Sequence, residues 1–379
     1  MVKILITDAT ILTLSKNPRI PPLIRKGYVF IKDGRVVAVD EGEPPDEYQY
    51  PELLLNGYGR LVIPGMSSGI TSVSLYPLRY EVGVSLSDVR DYLSVLTRTD
   101  IYYATMLAMA EMILSGVTTA MISDIYLDSS ARAAKDAGLM VTLATPIGCG
   151  LEEYGVEREL ELLLSRWHGR VDNVKAAILA CGQIGEEFEE RAAIKGLRIF
   201  SLNTEGEVRV NPGTGAEAVV RFGDGLMRWS PGEGVGIWVR PSYSITEVLK
   251  EIMWRSGTKN LVDVLASAVD THSMIGWSGM GPIEPGRVAN LVMLDTHEPP
   301  GWPAPERLDH VARAVIEGSA RVETVIAGEE ILVDAGELLT IGEAVLRRSV
   351  ERFEEVMREL REKGGVTHPS PAGSPPPSR

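Results

Sequence analysis

The hydrophobic pattern changes character along the chain. At the amino end, Lys3 to Thr13 and Gly27 to Val39 are rich in β-branched and aromatic residues, and Asp33-Gly34 lies inside the second stretch. Both positions of that dipeptide tolerate positive φ, so the pattern predicts a two-residue hairpin within a small β-module. The apolar run Leu61-Val62-Ile63 then stops at Pro64-Gly65 and restarts in small hydroxylated residues through Val73. A strand leaving one module and entering another reads this way.

The middle of the chain alternates. Ser87 is the expected cap of a long helix through Gly116, with Leu93, Leu96, Tyr103, Leu107, Ala110, Met112 and Leu114 on its apolar face. Val117 to Asp124 follows as a buried strand. Predicted strands at 139–145, 174–180 and 197–202 then alternate with predicted helices at 156–167 and 186–194, which implies a parallel sheet covered by helices. Only about thirty residues separate Glu205 from Val235, roughly the space of a single βαβ unit. A shortened barrel is expected there, with strands at Val208–Val210, Ala218–Phe222 and Val235–Val239 and with loops in place of helices. Helical spacing returns between Ser244 and Gly276, and strand-rich segments return at 281–295 and 322–332.

In Ile341 to Lys363 the residues Leu346, Val350, Phe353, Met357 and Leu360 are spaced by four and three, an amphipathic helix expected to pack on its own domain rather than form a coiled-coil seam. The Pro-, Ser- and Gly-rich stretch Gly364 to Arg379 is expected to be a disordered tail. The predicted architecture is α/β. A TIM-like, shortened parallel barrel spans 64–284, a small composite β-sandwich module combines 1–63 with 285–340, the carboxyl-terminal helix covers 341–363 and the tail covers 364–379.

Composition narrows the function. Hydrophobic residues at 44% and charged residues at 24% are values of a folded globular chain. The formal charge of −14 argues against nucleic acid, which needs clustered cations to displace counterions. No apolar run is long enough to span a bilayer, so no membrane partner and a cytoplasmic location are expected. Glutamine occurs only at Gln49 and Gln183 and Arg outnumbers Lys, a balance that points to a thermophilic source. Cys149 and Cys181, the chain's two cysteines, are expected to be reduced thiols. Both follow predicted strands, yet no histidine base accompanies either for nucleophilic catalysis. The glycine clusters Gly213-Thr214-Gly215 and Gly232-Glu233-Gly234 lack the strand, turn and helix context of a phosphate cradle and are expected to be loops.

Two stretches carry a family resemblance. The run through Pro64-Gly65 resembles the metal-binding opening strand of the amidohydrolase superfamily, especially its cytosine deaminase, guanine deaminase and chlorohydrolase-like branch. The stretch Ala108-Met109-Ala110-Glu111-Met112-Ile113-Leu114-Ser115-Gly116-Val117-Thr118-Thr119 resembles that branch's first helix and second strand. The resemblance extends over residues 1 to about 363 with one compressed interval. It implies hydrolysis of non-peptide carbon–nitrogen bonds, deamination among them, by a divalent metal, zinc or iron, held by histidines and an aspartate at the carboxyl ends of barrel strands.

The residues at those positions differ from the family's. Its first two histidines fall on Ile70 and Ser72, its later-strand histidine on Ser201, and its final aspartate on Arg240. The five histidines, His168, His272, His297, His310 and His368, all lie away from the predicted strand ends. Asp124 alone matches an acidic position of the family. No metal cofactor and no catalytic residue are therefore expected, and Ile70, Thr71, Ser72, Asp124, Ser201 and Arg240 are the expected lining of a degenerate pocket. With Arg240 at the end of the final strand the ligand is expected to be a small anion, unless Asp124 or Glu205 neutralises that arginine internally. The expected function is that of a pseudoenzyme binding a small molecule or a partner, either another copy of itself or a related catalytic chain. The alternative is an active hydrolase that uses rearranged groups such as Asp124, Glu205 and the cysteines, or whose site another chain completes.

Overall fold

The computed structural model describes residues 2–81, 86–210 and 218–362. The tail and the Gly213-Thr214-Gly215 cluster lie outside them. The amino-terminal strands are β1 (Lys3–Leu12), β2 (Leu23–Lys32), β3 (Arg35–Glu41), β4 (Leu53–Asn56) and β5 (Arg60–Pro64). They share one nine-stranded sheet with the strands that return after the barrel, β14 (Asn290–Asp295), β15 (Arg321–Ala327), β16 (Glu330–Asp334) and β17 (Glu337–Leu338). The join between the two halves is antiparallel, β5 against β14, with Ile63 opposite Val292. Ile4, Ile6, Val29, Ile31, Val62, Leu291 and Ile326 form one buried cluster of this sheet. At the β2–β3 hairpin Asp33 (φ 49°) and Gly34 (φ 69°) both adopt the left-handed conformation that this turn demands.

The second sheet has eight strands, in the order β13-β12-β11-β10-β9-β8-β7-β6. From β6 (Met66–Thr71) through β7 (Val117–Ile122), β8 (Met140–Ile147), β9 (Val174–Ala180) and β10 (Arg198–Leu202) all pairings are parallel. The compressed interval departs from this rule. β11 (Glu207–Val210) is antiparallel to both β10 and β12 (Ala218–Arg221), so a meander takes the place of strand–helix units. β13 (Gly234–Val235) restores the parallel direction, and the backbone bridge between Thr71 and Trp238 nearly closes the barrel. Gly236 makes that seam possible, because a Cβ there would lie 2.9 Å from the Ile70 backbone nitrogen.

Helices α1 (Leu86–Val95), α2 (Arg98–Leu114), α3 (Leu127–Ala137), α4 (Val156–Arg166) and α5 (Glu186–Lys195) accompany the parallel strands, and α6 (Ile245–Ser256) and α7 (Leu261–Met274) follow the seam. The single long helix expected from Ser87 is instead two. Thr97 and Asp100 form a capping box that starts α2, and this local signal overrides the apolar face running on through Leu96. α8 (Leu308–Ile316) packs on α7 and α6. α9 (Glu343–Glu362) buries Phe353, Val356 and Leu360 against Tyr92, Ile101 and Ala104, which places its apolar stripe on its own chain. Arg352 fixes it to Asp100, a carboxylate only 1% exposed, at 2.7 Å.

Candidate functional site at the barrel mouth

The carboxyl ends of β6 and β7 meet at Asp124. β6 ends at Thr71, and the chain turns through Ser72, Val73 and Ser74 around that carboxylate. Ser72 Oγ donates to Asp124 Oδ2 at 3.0 Å, and the Val73 and Ser74 backbone N–H groups donate to the same oxygen at 2.8 Å each. Ile125 N–H donates to Oδ1 at 2.9 Å. Burial pushes the Asp124 carboxyl above its ordinary value, against the opposing pull of the hydrogen bonds from Ser74, Ile125 and Ser72.

Tyrosines brace this turn from outside. Tyr243 donates to the Ser72 carbonyl at 2.6 Å and Tyr92 to the Ser74 carbonyl at 2.8 Å, and both rings are fully buried. Beyond them Glu111 accepts from Tyr76 Oη (2.8 Å), Ser242 Oγ (3.0 Å) and Tyr243 N–H (2.8 Å), and it pairs with Arg79. Burial alone would raise the Glu111 carboxyl, but the Tyr243, Tyr76 and Arg79 contacts outweigh it and hold the carboxyl below its ordinary value.

Inside the barrel the strands alternate cleanly. Ile70, Met121, Ala144, Leu179, Phe200, Val208 and Val220 belong to one buried apolar cluster, so Ile70 is part of a plug. Above it lies a cleft of about 440 Å³ lined by Leu202, Asn203, Glu205, Phe222, Arg228 and Trp238, among others. Phe222 and Trp238 lie 5.3 Å apart by ring centroid. Trp238 is held at φ 56°, an unfavourable conformation for a bulky residue, by the backbone bonds that close the seam.

The structure brings Ile70, Thr71, Ser72 and Asp124 together and leaves Ser201 and Arg240 apart from them. Thr71 is fully buried, with Oγ1 2.8 Å from Ser68 Oγ. Ser201 follows inward-facing Phe200 and lines a different cleft, of about 740 Å³, beside Gln183 and Glu189 of the α5 region. Arg240 pairs with Glu251 of α6 rather than with Asp124 or Glu205, and Glu205 pairs with Arg228 at 3.2 Å. Tyr92, Tyr243, Trp238 and Phe222 went unnoticed in the sequence. Tyr243 is 171 residues from the carbonyl it supports, and no local pattern carries such a contact.

The cysteines are corrected as well. Cys149 and Cys181 form a disulfide with a Cα–Cα distance of 5.0 Å. The expectation of reduced thiols weighed their wide separation in sequence. Parallel pairing sets Ile147 at the end of β8 beside Ala180 at the end of β9, and so delivers the two residues to one spot. His272, on α7, is fully buried at the opposite end of the barrel. Its Nε2–H donates to the Gly65 carbonyl at 2.7 Å, Nδ1 lies 2.7 Å from Thr119 Oγ1, and burial pushes its pKa down to about 4. Among the described residues no helix is long and apolar enough to cross a membrane.

No family model matches the chain. It is similar to 5-methylthioadenosine/S-adenosylhomocysteine deaminases, with 29% identity over 178 residues to that of Syntrophomonas wolfei subsp. wolfei (44% of this chain, 39% of the relative). The corresponding enzyme of Moorella thermoacetica is 30% identical over 227 residues, covering 55% of this chain and 51% of the relative. The chain therefore spans about two-fifths to half of the length of these relatives. Among solved structures, the zinc complex of atrazine chlorohydrolase from Arthrobacter aurescens TC1 superimposes with a TM-score of 0.75 at 16% identity, covering 93% of this chain and 100% of that one. A zinc-bound adenosine deaminase from Xanthomonas campestris gives 0.76 at 14% identity over 94% of this chain and 99% of that one. The likeness to the amidohydrolase superfamily is thus supported, by sequence over part of the chain and by fold over nearly all of it.

These structures correct the expectation that no metal cofactor is involved, because neighbours with this fold hold zinc. The donor set at this chain's mouth does not match such an ion. Among the described residues no three His, Cys, Asp or Glu side chains are grouped to hold a metal, and both Asp124 oxygens already accept hydrogen bonds from the turn it organises.

Proposed function

We propose that this chain is an amidohydrolase-superfamily protein that binds a small molecule at the barrel mouth without hydrolysing it. The observation that supports this reading is that both Asp124 oxygens are engaged by the turn the carboxylate organises. A general base needs an oxygen within reach of the proton it takes. The Asp124 oxygens are buried and engaged by three backbone N–H groups and the Ser72 hydroxyl. The alternative hydrolase with rearranged groups gains little from the others, since Glu205 pairs at the surface with Arg228 and the cysteines are joined to each other.

The cleft above the plug has the makings of a ligand site: the Trp238 ring, packed at a tilt against buried Phe222, with Asn203 and Arg228 as polar neighbours. 5-Methylthioadenosine, the compound in the relatives' names, carries a flat ring that would stack on such a face. Titration of the protein with 5-methylthioadenosine, followed by calorimetry and tryptophan fluorescence, tests the reading. Saturable binding is expected, retained in Trp238→Phe and weakened about tenfold or more in Trp238→Ala, since one stacked ring contributes roughly 1–3 kcal/mol. Binding indifferent to Trp238→Ala, or no saturable binding of any purine nucleoside, rejects it.

A further inference from the structure

The other end of the barrel, at the amino termini of its strands, has a different character. Thr142, Lys175 and Arg198 stand near the starts of β8, β9 and β10, on the alternation that continues inward with Ala144, Ala177 and Phe200. They make the first layer of the barrel interior polar. The carboxyl end of α7 closes over this layer. Thr142 Oγ1 donates to the Ile275 carbonyl (2.6 Å), Lys175 Nζ to the Gly276 carbonyl (2.7 Å), and Arg198 Nη1 to the Ser273 and Met274 carbonyls (3.1 and 3.0 Å).

Cations suit the negative end of a helix dipole, which accounts for their presence there. It does not exhaust their donors. An ammonium has three N–H groups and Lys175 spends one on a carbonyl, while Arg198 keeps its Nε and Nη2 hydrogens without a partner among the described residues. Among the described residues neither side chain forms an ion pair, in a protein whose formal charge is −14. A cleft of about 390 Å³ opens onto both, lined also by His168, and its single carboxylate, Asp172, pairs with neither. Lys175 Nζ lies 4.0 Å from the centroid of the Trp277 ring, whose buried N–H has no acceptor among the described residues. Burial lowers the pKa of both cations, and the nearby Arg198 lowers that of Lys175 further. Two neighbouring like charges, Lys175 half-buried and Arg198 exposed at the cleft, have no counter-charge among the described residues and are stabilised by an anion between them.

We propose that this cleft binds a small phosphate-bearing ligand through Lys175 and Arg198, at the end of the barrel opposite the mouth. A tetrahedral oxyanion offers acceptors on several sides, which suits an ammonium and the free edge of a guanidinium together. In barrel enzymes chemistry sits at the carboxyl ends of strands, so a ligand here occupies a second site, separate from the mouth.

The test measures thermal stability and calorimetric binding of the full chain with inorganic phosphate and with glycerol 1-phosphate, at ionic strength held constant with chloride. A saturable rise in Tm with phosphate and not with chloride is expected. Arg198→Gln and Lys175→Met are each expected to weaken binding about tenfold or more, while Lys175→Arg retains it. Equal effects of the two probes assign recognition to the phosphate group itself, and a stronger effect of glycerol 1-phosphate assigns it to an ester. In wild-type protein carrying 13C-dimethylated lysines, the Lys175 resonance is expected to titrate at higher pH once phosphate is added, a readout that needs no variant to fold. No saturable stabilisation by either probe, binding unchanged in both Arg198→Gln and Lys175→Met, or an unmoved Lys175 titration overturns the proposal.

Discussion

Replacing Asp124 by alanine separates a carboxylate that organises a turn from one that performs a reaction. Asp124 satisfies the N–H groups of Val73, Ser74 and Ile125 and the Ser72 hydroxyl, all within 3.0 Å. The hydroxyl can rotate to another acceptor, whereas the backbone donors cannot follow. Each buried donor left without an acceptor costs about 1–3 kcal/mol, and relief of the buried carboxylate's own desolvation offsets part of the sum. The net destabilisation expected for Asp124→Ala is therefore on the order of 3–5 kcal/mol. Asp124→Asn keeps one carbonyl oxygen for the Val73 and Ser74 donors but turns an NH2 toward a donor elsewhere, so its expected cost is smaller, about 1–3 kcal/mol. Urea unfolding followed by far-UV dichroism measures both, with the slope compared alongside the midpoint so that a changed unfolded state is not mistaken for a changed native one. A reacting carboxylate held for chemistry gives the opposite pattern, because its removal leaves stability unchanged or raised. Asp124→Ala within about 0.5 kcal/mol of wild type would show that the turn does not depend on this carboxylate.

Other outcomes follow from the same structure. His272 is neutral in the folded state with a pKa of about 4, against 6.5 when exposed, so the unfolded chain binds its proton first on acidification. Its contribution is complete above pH 6.5 and is lost as pH falls toward 4, at most about 3 kcal/mol across that window; His272→Gln should flatten this part of a stability–pH profile, and an unaltered slope would contradict the assignment. The Cys149–Cys181 link closes a loop with a sequence separation of 32, and reduction or a double serine variant should cost roughly 3–4 kcal/mol by chain entropy; a Tm indifferent to reductant would show the thiols apart. Gly236→Ala should open the seam, since its Cβ would lie 2.7 Å from Ile70 Cγ2 and 2.9 Å from the Ile70 nitrogen; amide exchange of Trp238 and Ser72 should accelerate, and unchanged protection would count against closure there.

The fold was legible where a signal is local or periodic. Asp33-Gly34 marked its hairpin because both residue types tolerate the positive φ they adopt, and Val117 to Asp124 read as a buried strand from its apolar, β-branched run, of which Val117–Ile122 is strand with all six residues buried. The thirty-odd residues after Glu205 were too few for the usual strand–helix units, and the observed meander β10-β11-β12 is how a barrel nearly closes within that length. The break before α2 was readable from Thr97 and Asp100 but was masked by the apolar residues on either side of it. At the mouth, the resemblance to the amidohydrolases set the family's first two histidines on Ile70 and Ser72 as an expectation. The contacts that organise this turn were not legible, because those of Asp124 with Ser72, Val73 and Ser74 bridge 50 to 52 residues. Arg240 pairs with Glu251 of α6, eleven residues along the chain, a contact that no strand-end pattern signals. The disulfide depended on strand register, which spacing does not reveal.

The most direct test is ammonia release from 5-methylthioadenosine and S-adenosylhomocysteine by the full chain after incubation with zinc, the ion that the fold's neighbours hold. Saturable binding of the nucleoside is expected, with no release above the uncatalysed rate. Multiple turnovers per protein molecule, lost in Asp124→Asn while that variant remains folded, would contradict it.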